Sequence, residues 1–122
     1  MRTKAISCLL AGALPSLAPA AAFAHAQLVK ATPAVGSQTT SPSELRLEFS
    51  EGVEAKFSGA TLKSDAGTQI PLGPPSVEPG DDRVLALKLL KPLPPGGYEV
   101  SWHAVATDTH HTQGRFGFTV KP

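Results

Sequence analysis

A chain of 122 residues carrying 12 prolines and 11 glycines has room for one packed domain, and its composition argues against long helices. Eleven Lys and Arg against ten Asp and Glu give a formal charge of +1, which excludes a strongly basic nucleic-acid or membrane-surface footprint. The lone Met and lone Cys, Met1 and Cys8, both lie at the extreme N-terminus, so the rest of the chain has no sulfur for disulfides or soft-metal ligation.

Residues 1–24 read as a secretory signal. Arg2 and Lys4 supply its positive start, and Ala5 to Leu14 a short apolar stretch. That stretch, broken by Pro15 and Pro19, is too short to span a bilayer. Cys8 lies too early to be a lipid-attachment cysteine. Ala22 and Ala24 fit the small-residue cleavage pattern and predict a cut between Ala24 and His25. A competing A-H-A site would cut before Gln27. The first cut leaves a 98-residue domain, 25–122, with nine basic and ten acidic residues. Its first residue would offer two nitrogens at once, the amine and the ring of His25.

After the signal, short alternating runs separated by turn residues predict an all-β fold. LRLEF places Leu45, Leu47 and Phe49 on one face. GATLKS follows after a break. RVLALKL sets Val84, Ala86 and Lys88 against Leu85, Leu87 and Leu89. GYEVSWHAVA sets Tyr98, Val100, Trp102 and Ala104 against Glu99, Ser101 and His103. RFGFTV puts Phe116, Phe118 and Val120 on one side. The connections TPAVGS, SDAGT, LGPPSVEPGDD and KPLPPGG are turn-rich. Strands at this spacing in about a hundred residues predict a β-sandwich or small barrel with Greek-key connections.

Three of the four histidines, His103, His110 and His111, lie within nine residues, and the fourth is His25. The segment TDTHH, Thr107 to His111, is read as a loop after a strand and before a turn His111–Gly114. Asp108 and His110 are two residues apart, so in extended backbone they share a face. The amine and ring of His25, the His110 ring and the Asp108 carboxylate make up to four hard or borderline donors. Tetragonal nitrogen and oxygen coordination without thiolate favours Cu(II), with Ni(II) next; zinc prefers a tetrahedron. A plainer reading stands beside this: Asp108 starts a turn by bonding its own backbone, and His110 is a solvated loop residue. His103 and His111 are read as exposed, Glu51 as a solvated carboxylate at a strand end, and Trp102 and Tyr98 as core.

The same residues carry a family resemblance. HAQLVKATPAVGS, LEFSE, FSGA, PLPPGGYEVSWHAVATDTH and the closing GRFGFTV, in this order and spacing, resemble the CopC/PcoC copper-resistance proteins over nearly all of the chain after the signal. The resemblance implies a cupredoxin-like, Ig-like Greek-key barrel of about seven strands. It implies a periplasmic protein holding one Cu(II) per chain through His25, Asp108 and His110, with Glu51 at the same site as axial ligand or as holder of the amine. Some members bind Cu(I) through a Met-rich loop; this chain has KSDAGTQIPL there, so that site is not expected. His111 stands where the family has a proline. A monomer is expected, partnered by analogy with a CopD-type inner-membrane protein.

Two other classes compete with that reading. A histidine brace on copper also serves oxidative polysaccharide-cleaving enzymes, but one Tyr and one Trp in 98 residues make an aromatic sugar-binding surface hard to assemble. An Ig-like interaction domain without metal is the other. The sequence favours a copper-binding protein that is not an enzyme.

Overall fold

The structure, a computed structural model, describes residues 25–122; the signal expected at 1–24 lies outside the described residues. In chain order the strands are β1 (Leu28–Thr32), β2 (Gln38–Thr39), β3 (Glu44–Phe49), β4 (Gly59–Ser64), β5 (Gln69–Ile70), β6 (Ser76–Glu78), β7 (Asp81–Lys88), β8 (Gly96–Val105) and β9 (His111–Val120). Among the described residues there is no helix; β2 and β5 are two-residue strands, and the others number the seven expected. They form two sheets, one ordered β1-β3-β7-β6 and the other β2-β9-β8-β4-β5. The all-β class therefore holds, as a two-layer sandwich. The chain changes sheet after β1, β2, β3, β5 and β7, and these crossings interleave the two layers.

Period-two hydrophobicity explains the layers. Leu45, Leu47 and Phe49 of β3 are fully buried, while Glu44, Arg46 and Glu48 between them point outward. Opposite them the second sheet contributes Leu62 of β4, Tyr98, Val100 and Ala104 of β8, and Phe116, Phe118 and Val120 of β9. Leu85 and Leu87 of β7 close the same core. Tyr98 stacks on Phe118 with ring centroids 5.7 Å apart. Its hydroxyl donates to the Pro94 carbonyl at 2.6 Å, a tyrosine corner that satisfies the polar tip of an otherwise buried ring.

The expectation that His111–Gly114 forms a turn is corrected. These residues open β9 and pair with Val105–Trp102 of β8. Gly114 is in-strand for a packing reason. It lies directly across from Trp102, and a Cβ there would stand 2.7 Å from the indole Cζ2. The missing side chain lets the indole lie across β9 and meet Phe49 edge-on at 5.2 Å. The turn is shorter and earlier, at Thr107–Thr109.

Candidate metal centre

The β8–β9 connection places Asp108 and His110 at one end of the sandwich. The link is closed by backbone bonds: the Ala106 N–H donates to the His110 carbonyl at 2.9 Å, and the Thr109 N–H to the Ala106 carbonyl at 2.8 Å. Thr109 adopts φ +78°, a left-handed conformation unfavourable for a β-branched residue. The backbone is therefore not extended between Asp108 and His110, yet their side chains meet. Asp108 Oδ1 accepts the His110 N–H at 3.1 Å, and Oδ2 lies 3.2 Å from His110 Nδ1. The plainer reading of Asp108 as a turn-forming residue and the reading of it as a partner of His110 are thus both realised, one through each oxygen.

These contacts set the electrostatics. The His110 backbone N–H holds the Asp108 carboxyl below its ordinary value; burial opposes it, and the His110 ring and then the nearby His25 lower it further. A charged carboxylate beside Nδ1 orients the imidazole. Each carboxylate oxygen keeps a further lone pair.

His25 arrives from the other end of the sequence. Its ring meets that of His110 edge-on, centroids 4.7 Å apart and planes at 89°. The chain reaches this point because Ala26 is fully buried and β1 pairs with β3. Further contacts fasten it: the Ser50 N–H donates to the Gln27 carbonyl at 2.8 Å, and the Thr112 hydroxyl to the Ala26 carbonyl at 2.8 Å. Glu51 follows Ser50, half-buried, at the same end. The bend that carries it is tied to β8 and its loop, where the Thr107 N–H donates to the Gly52 carbonyl at 3.1 Å and Val53 bridges Ala106.

The structure thus brings together His25, Asp108 and His110 as a chain of contacts. Among the described residues no three His, Cys, Asp or Glu side chains converge as a ready-made metal cage. The contacts instead run pairwise, from the His25 ring to the His110 ring and from the His110 ring to the Asp108 carboxylate. His103 is exposed on the outer face of β8, its ring leaning over Gly59, and His111 is exposed at the start of β9; neither belongs to this group. Ser50 and Thr112, which sequence reasoning did not single out, fasten the His25 segment. Nothing in their local sequence marks them, because their partners are 23 and 86 residues away.

Comparison with known proteins agrees with this architecture. Residues 28–121 match the CopC domain family. The chain is 38% identical over 125 residues to copper resistance protein C of Pseudomonas syringae pv. tomato, covering 98% of this chain and 97% of that protein. It is 39% identical over 107 residues to protein YobA of Escherichia coli K12, covering 87% and 86%. The crystal structure of PcoC, a methionine-rich copper resistance protein from Escherichia coli, superposes with a TM-score of 0.73 at 33% identity, covering 80% of this chain and all of that one. With the matched family model spanning most of the sequence and the sandwich shared with PcoC, the chain belongs to the CopC family of copper-resistance proteins.

Proposed function

We propose that this chain is an exported, periplasmic Cu(II)-binding protein that buffers copper, confers resistance or delivers the ion. In this reading cleavage after Ala24 frees the His25 amine. The amine and ring of His25, the His110 ring and the Asp108 carboxylate then hold one Cu(II), with Glu51 beside the amine. The observation that carries the reading is the edge-on meeting of His25 and His110 at 4.7 Å, with Asp108 against the His110 ring. Two histidines from opposite ends of the sequence, flanked by a carboxylate at a solvent-accessible end, form a nitrogen and oxygen donor set suited to Cu(II).

PcoC, a methionine-rich relative, contrasts with this chain, whose single methionine is Met1. Residues 25–122 have no sulfur to supply soft donors for Cu(I), so in this reading the protein carries copper as Cu(II). The domain works as a monomer, with a CopD-type inner-membrane protein as its partner by analogy with the family.

The test is the intact mass of the exported protein with and without one equivalent of Cu(II). A chain beginning at His25 that gains one tightly held copper supports the reading. A chain beginning at Gln27, or a His25-initiated chain that takes up no copper, overturns it. A variant with one glycine ahead of His25 should bind far more weakly, because the primary amine is displaced.

A further inference from the structure

Two hydroxyls from opposite sheets grip the segment that carries His25. The Gln27 N–H donates to Ser50 Oγ at 2.9 Å, and the Thr112 hydroxyl donates to the Ala26 carbonyl at 2.8 Å. These two groups are the opposite poles of a single peptide unit, Ala26–Gln27. A peptide is planar, so fixing both poles fixes the rotation of the whole unit. Ser50 Oγ also stands 3.4 Å from the His25 carbonyl, a pole of the preceding unit. The Ala26 methyl is fully buried beneath.

The origins of the two hydroxyls matter. Ser50 follows β3 in the four-stranded sheet, and Thr112 is the second residue of β9 in the five-stranded sheet. Thr112 is also two residues beyond His110, so its bond ties the backbone of the His25 segment to the element that bears the second imidazole. A chain terminus ordinarily frays unless it is tied down. Here the tie reaches to within one residue of His25.

We infer that Ser50 and Thr112 are positioning residues for copper, aiming the backbone of His25 so that its ring and its freed amine face His110. The inference rests on the copper-binding reading above and deepens it. Neither hydroxyl belongs to the donor set. Their effect is to fix a ligand before the ion arrives, which removes part of the ordering cost of binding. Outer partners that orient metal ligands typically carry about 10- to 100-fold in affinity.

The experiment uses the chain beginning at His25, as wild type and as Ser50→Ala, Thr112→Val, Thr112→Ser and His25→Ala. Cu(II) affinity is measured by competition with a chromophoric chelator, the Cu(II) environment by electron paramagnetic resonance, and the Gln27 amide by hydrogen exchange in the metal-free protein. Thr112→Val and Ser50→Ala should each lose about tenfold in affinity, split the resonance spectrum into more than one species and speed Gln27 exchange. Thr112→Ser, which keeps the hydroxyl, should behave as wild type. Ser50 is exposed, so its alanine variant keeps the test valid if Thr112→Val folds poorly. Wild-type affinity and a single spectrum in both Thr112→Val and Ser50→Ala would overturn the inference, as would equal losses in Thr112→Val and Thr112→Ser. If His25→Ala binds as tightly as wild type, the copper-site reading fails first and takes this inference with it.

Discussion

At the scale of single residues, Asp108 performs two tasks that can be separated. Oδ1 shapes the turn by accepting the His110 N–H, and Oδ2 addresses the His110 ring. Asparagine retains a carbonyl oxygen for the first task and loses the charge needed for the second. Asp108→Asn should therefore leave thermal unfolding of the metal-free protein close to wild type while lowering Cu(II) affinity by about tenfold or more. Calorimetric titration beside a melting curve checks both halves, and an unchanged affinity would remove Asp108 from the centre. The pH dependence has a definite sign. The folded-state pKa of Asp108 is depressed, chiefly by the His110 N–H, so the contact stabilises the turn above the ordinary carboxylate range. That contribution disappears as pH falls through the depressed value, below about pH 4. Amide shifts of Thr109 and His110 followed by NMR from about pH 5, where imidazoles of ordinary value are already protonated, to about pH 2 should move in the wild type and stay nearly flat in Asp108→Asn. Copper should be lost at higher pH. Protons compete for amines and imidazoles with reference values of about 8 and about 6.5, so affinity should fall steadily from about pH 8 to about pH 5.

At the scale of elements, the β8–β9 hairpin supports the site, and Gly114 is a tight point within it. Gly114→Ala would press a methyl into the Trp102 indole, with approaches of 2.7 Å and 2.9 Å to ring carbons that the Phe49 contact holds in place. Overpacking of this kind costs about 1–3 kcal/mol, and urea denaturation of the metal-free variant should show that loss. Copper affinity should change little, since the turn at Thr107–Thr109 and the bond from Thr112 to Ala26 lie beyond the strain. The same hairpin shows what was legible in the sequence. LRLEF and RFGFTV declare themselves because one face of each is wholly apolar and the other is not. HTQG does not, because its residues are polar and its glycine, a turn signal in isolation, is there to make room for an aromatic ring on the neighbouring strand. LVKAT of β1 is equally hard to read, since its pairing with β3 shifts register between Leu28 and Lys30 and leaves Val29 57% exposed. The D-x-H spacing did foretell that Asp108 and His110 meet. The route differs from the extended backbone that the spacing suggests: a left-handed Thr109 and a side-chain-capped turn bring the two groups together. The hydroxyls that secure His25 were illegible because a serine and a threonine acquire that role only from long-range pairing.

At the scale of the whole molecule, the domain must be stable without disulfides, since residues 25–122 contain no cysteine. Its resources are one continuous core and the ties that fasten its first residues across both sheets. A ligand that binds only the folded chain adds to that stability by mass action. In the proposed site a Cu(II) ion would be gripped by residues from both ends of the sequence, and of that set the unfolded chain keeps only the local amine-and-ring chelate of His25, a much weaker site. At free Cu(II) about a hundred times the dissociation constant, the gain is about 2.7 kcal/mol. For a domain of this size each kcal/mol moves the melting temperature by about 4–8 °C. The chain beginning at His25 should therefore melt roughly 10–20 °C higher with Cu(II) than without. A chain with one glycine ahead of His25 should show a much smaller rise at the same copper concentration, because it has lost the primary amine while keeping every imidazole and carboxylate. Scanning calorimetry of the two chains separates the competing classes. An Ig-like interaction domain would show no copper-dependent shift in either chain. An equal shift in both would place the ion on histidines such as His103 and His111, away from the freed terminus. A large shift confined to the His25-initiated chain, without peroxide- or ascorbate-driven cleavage of chitin or cellulose, is the behaviour expected of a carrier whose ligand is created by the removal of its own leader.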